Sequence, residues 1–121
     1  MPIVYHEKAQ STFAKNMTLI TTPEANNSFL SDLVTSGDLD KEKPITAGFY
    51  RQLKGETLTY TYTYHEMKII VEGEFHISDG TNSYVGLPGD VFYFQKGDTI
   101  TFSSPDYGLG FFCGQKAFGV V

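Results

Sequence analysis

From Ile45 onward, apolar and polar residues alternate in short runs separated by turn residues. The runs are "ITAGFYRQL", "TLTYTYTYHEMKIIV", "EFHIS", "SYVGL", "DVFYFQ", "TITFSS" and "LGFFCGQ". Between them stand "KGE", "SDGTN", "LPGD", "KGD" and "SPDYG". A period of two is the signature of a strand with one buried face, and Gly, Pro, Asn and Asp clusters mark its turns. Asp79-Gly80, flanked by two such runs, is a hairpin signal. Short strands at this spacing predict an all-β sandwich or barrel.

The first 44 residues read differently. Residues 1–20 alternate weakly and are expected to form an arm or edge strand. In "TTPEANNSFLSDLVTSG" (21–37), Phe29, Leu30, Leu33 and Val34 recur at helical spacing. Thr21 precedes Glu24 by three, as in a capping box, and Pro23 suits a first turn. Gly37 supplies a stop. A short amphipathic helix is expected there. The charged "DLDKEKP" (38–44) reads as a solvated loop. No internal repeat or second domain is visible, so the expectation is one domain, with the barrel spanning 45–115.

The longest alternating run deserves a count by face. Successive strand residues point to opposite sides. One side of residues 59–70 carries Tyr60, Tyr62, Tyr64, Glu66, Lys68 and Ile70. The other carries Thr59, Thr61, Thr63, His65, Met67 and Ile69. If the first side faces inward, it forms an amphipathic pocket. Tyrosine rings make rigid walls, and their hydroxyls orient a ligand. Glu66 and Lys68, two apart on this side, are placed to pair. A carboxylate in such surroundings is a candidate general acid or base. On the same count His65 points away from Glu66, so the two do not share a metal ion.

Composition narrows the classes of function. The chain has 121 residues, a formal charge of −5 and 15% aromatic residues. There is no basic stripe for nucleic acid and no Lys/Arg cluster for an anionic membrane surface. The N-terminal "MPIVYHEKAQSTF" lacks the apolar core of a signal peptide. No run approaches the ~18 apolar residues of a membrane-spanning helix. The one cysteine, Cys113, has no internal disulfide partner, which suggests a reducing, cytoplasmic setting. Within "GLGFFCGQ" it reads as a small buried strand residue. His6 and His76 read as surface residues. Arg51, beside an aromatic strand, is a candidate contact for an anionic group. Tyr93 and Tyr107 are candidate phenols at the pocket rim. Phe92, Phe94, Phe111 and Phe112 read as core. "YVGLPGD" is turn chemistry rather than a phosphate loop, since no strand–glycine loop–helix unit follows it.

Two spacings resemble the motifs of the cupin superfamily, G-x5-H-x-H-x3–4-E-x6-G and G-x5-P-x-G-x2-H-x3-N. Glu66 stands seven residues before Gly73, matching the end of the first. Gly89 and Gly97 fit the second, with Gln95 in place of its proline, and 15 residues separate Gly73 from Gly89. The resemblance implies an all-β, jelly-roll barrel over about residues 45–115, commonly a homodimer. It also implies a divalent metal held by three His and the Glu. Here the first two histidine positions fall on Thr59 and Thr61, or on Tyr60 and Tyr62. The third falls on Ile100, and the closing Asn position is Ser104. Only the glutamate is retained, so no metal and no other cofactor is expected. Within the superfamily, "YTYTYHEMKIIVEGEFHI" and "PGDVFYFQKGDTITF" resemble the cupin domain of the ethanolamine-utilisation Q family, which also lacks the metal histidines. His65 and Lys68 depart from acidic positions of that family.

The expected function is a metal-independent lyase, dehydratase or isomerase acting on a small polar organic molecule. Glu66 is its expected acid/base, Lys68 tunes that charge, and Tyr64 acts with them. Tyr60, Tyr62, Arg51, Ile100, Phe102 and Tyr93 are the expected substrate contacts. Two alternatives stand beside it: a non-catalytic ligand-binding cupin, and a metal-dependent cupin with atypical ligands.

Overall fold

The computed structural model of the chain describes residues 2–20 and 26–120. Nine strands form two antiparallel sheets. They are β1 (Ser28–Thr35), β2 (Thr46–Leu53), β3 (Leu58–Thr61), β4 (Glu66–Gly73), β5 (Phe75–Ser78), β6 (Ser83–Gly86), β7 (Val91–Phe94), β8 (Thr99–Ser103) and β9 (Tyr107–Gly114). The larger sheet has the order β1-β2-β9-β4-β7, and the smaller β3-β8-β5-β6. This two-sheet sandwich is the jelly-roll arrangement expected from the sequence. The Asp79-Gly80 turn joins β5 to β6, with Gly80 at φ +93° and the Asp79 carboxylate accepting the N–H groups of Thr81 and Asn82.

The inner faces enclose an aromatic core of Tyr50, Tyr62, Phe75, Phe94, Phe102 and Phe112, with Ile70, Ile77 and Ile100. Phe92 packs at its edge. A second, smaller cluster lies on the outer face of the large sheet, where Phe49, Leu109 and Phe111 meet the arm residues Phe13, Ala14 and Met17. Phe111 is therefore part of the arm's seat and not of the central core. Cys113 is also turned outward and exposed, because its neighbours Phe112 and Gly114 take the inward parity.

The region before β2 departs from expectation. Thr21, Pro23 and Glu24 lie outside the described residues. Residues 28–35 of the predicted helix are strand β1, which pairs with β2 from Ser28↔Gln52 to Thr35↔Thr46. The short helix lies earlier, at Ala9–Thr12, followed by a 3-10 turn at Ala14–Asn16. Strand β1 is half-buried on both sides, with Leu30 packed on the inner core and Leu33 on the outer cluster. A register shift between Asp32 and Val34 further breaks its alternation. Two buried sides plus a bulge imitate helical spacing, and sheet pairing outweighs local propensity. The arm then returns alongside β1: Leu30 N–H donates to Thr18 O and Ile20 N–H to Ser28 O.

Candidate functional site

The run "TLTYTYTYHEMKIIV" is not one strand. Its first part is β3 in the small sheet, its last part is β4 in the large sheet, and residues 62–65 cross between them. The crossing is pinned by backbone bonds. Tyr62 N–H donates to Asp98 O, Gly97 N–H to Tyr62 O, and Gln115 N–H to His65 O. Alternation survives the change of sheet. Tyr62, Tyr64, Glu66 and Lys68 are buried, while Thr61, Thr63, His65 and Met67 are exposed.

The buried side chains line a pocket together with Tyr50, Leu58, Tyr60 and Phe102, and with Ile20 and Leu30. Its free volume is about 40 Å³. At ~10–15 Å³ per water, that is room for about three waters or a few heavy atoms of a ligand. The Tyr60 and Tyr62 rings meet edge to face at 4.8 Å, and those of Tyr62 and Tyr64 at 5.5 Å. Tyr62 also stacks on Phe94 at 5.2 Å. These contacts fix the phenols without using their hydroxyls. The Tyr62 hydroxyl donates to Glu66 Oε2 at 2.5 Å. The Tyr60 hydroxyl is buried and has no hydrogen-bond partner among the described residues.

Lys68 extends from β4 beneath this group. Its Nζ lies 3.5 Å from Glu66 Oε2. It sits over the ring centroids of Phe102 at 4.5 Å and Tyr50 at 4.6 Å, within cation–π reach. Burial lowers the Lys68 pKa from its ordinary value, and the Glu66 charge opposes that effect. Burial raises the phenol pKa values of Tyr50, Tyr62 and Tyr64. The Glu66 charge adds to the rise at Tyr62 and Tyr64.

Glu66, Lys68, Tyr60, Tyr62, Tyr64 and Phe102 thus line one pocket. Ile100 is buried in the aromatic core next to Tyr60 but does not line the free space. Arg51 is on the opposite side of β2, where its guanidinium donates to Ala14 O at 2.9 Å and anchors the arm. Tyr93 is half-exposed outside the barrel, with its hydroxyl 3.1 Å from His65 Nδ1. Tyr107 is not at the rim either, and its hydroxyl faces Glu72 at 3.4 Å. His76 is exposed and pairs with Glu74 at 2.7 Å. Both Arg51 and Tyr93 fail for one reason: they occupy outward positions of alternating strands. The same parity applied to "GFYRQL" would have selected Tyr50 in place of Arg51. A second buried pair, Lys116 with Asp32 at 2.8 Å, had no signal in the local pattern.

Parity also decides between the two cupin alignments. Thr59 and Thr61 face outward and bond across to Thr101 and Thr99. The positions corresponding to metal ligands are thus Tyr60, Tyr62, Glu66 and Ile100. A divalent ion wants several N, O or S donors. Here a single carboxylate shares its space with an ammonium group, burial keeps the Tyr62 phenol protonated, and Ile100 has no donor. These residues do not fit the metal of the superfamily. Among the described residues, no cluster of three His, Cys, Asp or Glu offers another site.

The two sheets, the aromatic strand crossing between them and the single inward glutamate define a cupin. A solved RmlC-like cupin from Shewanella frigidimarina has the same fold, with a TM-score of 0.65 at 17% identity over 88% of this chain and 89% of that one. The family model described as "Ethanolamine utilisation protein EutQ" matches residues 7–113, and the chain belongs to that family. It is 33% identical to the acetate kinase EutQ of Salmonella typhimurium over 76 residues, 63% of this chain and 31% of that relative. The chain thus spans under a third of the curated relative's length. The crystal structure of a putative ethanolamine utilization protein Q from Salmonella typhimurium LT2 superposes with a TM-score of 0.63 at 27% identity, covering 73% of this chain and 68% of that one. No helix among the described residues is long and apolar enough to cross a membrane.

Proposed function

We propose that the barrel pocket takes a small polar organic molecule and that Glu66 moves a proton on it, as in a metal-independent lyase, dehydratase or isomerase. The supporting observation is the hydroxyl of Tyr60. It is buried at the pocket near Tyr64 with its hydrogen bonding unsatisfied among the described residues, beside a Tyr62–Glu66–Lys68 chain that is internally connected. An unpartnered buried hydroxyl costs about 1–3 kcal/mol, and a ligand oxygen or nitrogen removes that cost. Glu66, with Tyr62 at 2.5 Å and Lys68 at 3.5 Å, has both a donor and a cation to balance a change in its protonation. Tyr64 supplies a neutral phenol able to stabilise an enolate-like oxygen, while the Tyr62 proton is held by Glu66. The free volume limits the ligand to a few heavy atoms. A homodimer is part of the same proposal.

The Salmonella relative is named an acetate kinase. Phosphoryl transfer relies on bound Mg²⁺ and several cationic or backbone donors around the phosphates. The pocket presents one cation, already beside a carboxylate, so its chemistry favours proton transfer.

Solvent exchange provides the test. The protein is incubated in D₂O with small aldehydes, ketones and hydroxy acids, and exchange of α-hydrogens is followed by NMR. Exchange by the native protein that is lost in Glu66→Gln supports the assignment. Equal exchange in both overturns it. Saturable binding without any exchange identifies a ligand-binding cupin, and stoichiometric transition metal in the purified protein identifies a metal-dependent one.

A further inference from the structure

The barrel holds two buried lysines, and they are solvated by the protein in opposite ways. Lys116 Nζ donates to both oxygens of Asp32 at 2.8 Å and to Val120 O at 2.5 Å. Its three N–H groups are matched by three acceptors, as a structural ammonium requires. Lys68 is equally buried, with 3% of its surface exposed. Among the described residues its amine has only Glu66 Oε2 nearby, at 3.5 Å, and otherwise faces the rings of Tyr50 and Phe102. The rings attract a positive charge but accept fewer hydrogen bonds than the three N–H groups of an ammonium offer, so the neutral amine is less disfavoured at Lys68 than at Lys116. Lys68 also lines the free space of the pocket.

We propose that Lys68 is a nucleophilic amine that condenses with the carbonyl group of a small aldehyde or ketone held in the pocket. A desolvated lysine in an apolar pocket is the usual activated amine for imine chemistry. The ammonium first passes a proton to Glu66, its nearest acceptor. The amine lone pair then forms the C–N bond, the carbonyl π pair moves to oxygen, and that oxygen is protonated to give a carbinolamine. Expulsion of the oxygen as water, with protons delivered through Glu66 and Tyr62, forms the C=N bond. The net change is loss of one water, with no oxidation or reduction. Hydrolysis reverses it. The cation so formed occupies the place of the Lys68 ammonium over the same rings, and the free Tyr60 hydroxyl is placed to bond a substituent of the carbonyl compound.

This inference deepens the acid–base reading by naming the substrate class, and it can fail separately. Native protein at neutral pH is exposed to acetaldehyde or acetone with sodium cyanoborohydride, and the reduced adducts are mapped by peptide mass spectrometry. Each unit by which an amine pKa falls raises its neutral fraction about tenfold. The expected result is initial labelling of Lys68 at least about tenfold faster than of exposed Lys54 or Lys96, with Lys116 slowest. Glu66→Gln favours the neutral amine but removes the acid that delivers the protons for loss of water, so labelling of Lys68 is expected to slow while Lys54 stays unchanged. Labelling in simple proportion to exposure, with Lys68 no faster than Lys116, overturns the proposal. Glu66-dependent solvent exchange with no Lys68 adduct also overturns it while sparing the acid–base reading. A Lys68 adduct without such exchange supports it and removes that reading instead.

Discussion

The Tyr62 hydroxyl and the Glu66 carboxylate meet at 2.5 Å although a change of sheet separates β3 from the strand that carries Glu66. The bond ties the crossing segment to the first residue of β4. Tyr62→Phe keeps the ring stacked on Phe94 and removes only the donor. A hydrogen bond to a charged group is worth about 1.5–3 kcal/mol, so urea unfolding of this variant is expected to show a loss of about 2 kcal/mol. An unchanged midpoint would mean that the bond contributes nothing to the folded state.

Glu66 and Lys68 should behave as a unit. Glu66→Gln takes from the Lys68 amine the one anion near it among the described residues, and breaking a buried pair from one side costs about 3–5 kcal/mol. Replacing both, as Glu66→Gln with Lys68→Met, removes the unpaired charge and should recover much of that loss. A double-mutant cycle measured by chemical denaturation checks this through the sign and size of its coupling energy. Strict additivity would show that the two side chains do not sense each other.

The contributions of Lys68 and the buried tyrosines to stability should together be greatest near the alkaline end of the range and then fall. The Lys68 pKa in the folded chain lies below its ordinary value of 10.5. Between those two values the unfolded chain binds more protons, so the Lys68 contribution grows as pH rises towards 10.5 and is lost as pH falls through the folded value. Tyr50, Tyr62 and Tyr64 have folded values above the ordinary 10.0. Their contribution is complete below pH 10 and is lost as pH climbs through those folded values. Phenolate absorbance followed through an alkaline titration should show three tyrosines ionising only as the fold is lost. Smooth titration of all eight without unfolding would contradict the buried phenol cluster.

Gly73 ends β4 at φ +70°, and a Cβ there would sit 2.1 Å from Tyr107 O. Gly73→Ala therefore combines a left-handed backbone penalty of about 1–2 kcal/mol with a clash against a backbone atom that cannot turn aside. The expected loss is about 3 kcal/mol or more in unfolding experiments. Gly89→Ala has the same backbone penalty, at φ +98°, but nothing within 4 Å, and should cost about 1–2 kcal/mol. Equal losses at the two sites would show that the close approach to Tyr107 is unimportant.

Where one face of a strand is buried and the other wet, the sequence was a reliable guide. Tyr60 to Lys68 could be assigned to the pocket because each inward residue alternates with an exposed one. The parity holds across the break between sheets because burial keeps alternating through residues 62–65, although the chain bends at Thr63 and Tyr64. Strand β1 was illegible for the opposite reason: both sides are half-buried, and the bulge near Leu33 disrupts the count. The side chains of Arg51 and Tyr93 have the chemistry of pocket contacts, but the parity of their own strands places them outside. The Lys116–Asp32 pair spans 84 positions of sequence, beyond the reach of any local pattern.

Strand order carries one more consequence. The strand at the middle of the large sheet, β9, follows every strand it joins, and it alone links β2 to β4. A chain emerging from the ribosome therefore displays β1–β8 while the facing edges of β2 and β4 remain unpaired. Such edges are templates for pairing with other chains. The sandwich closes only after Tyr107–Gly114 has left the exit tunnel, and a chain halted before Tyr107 would be an aggregation-prone product rather than a smaller barrel.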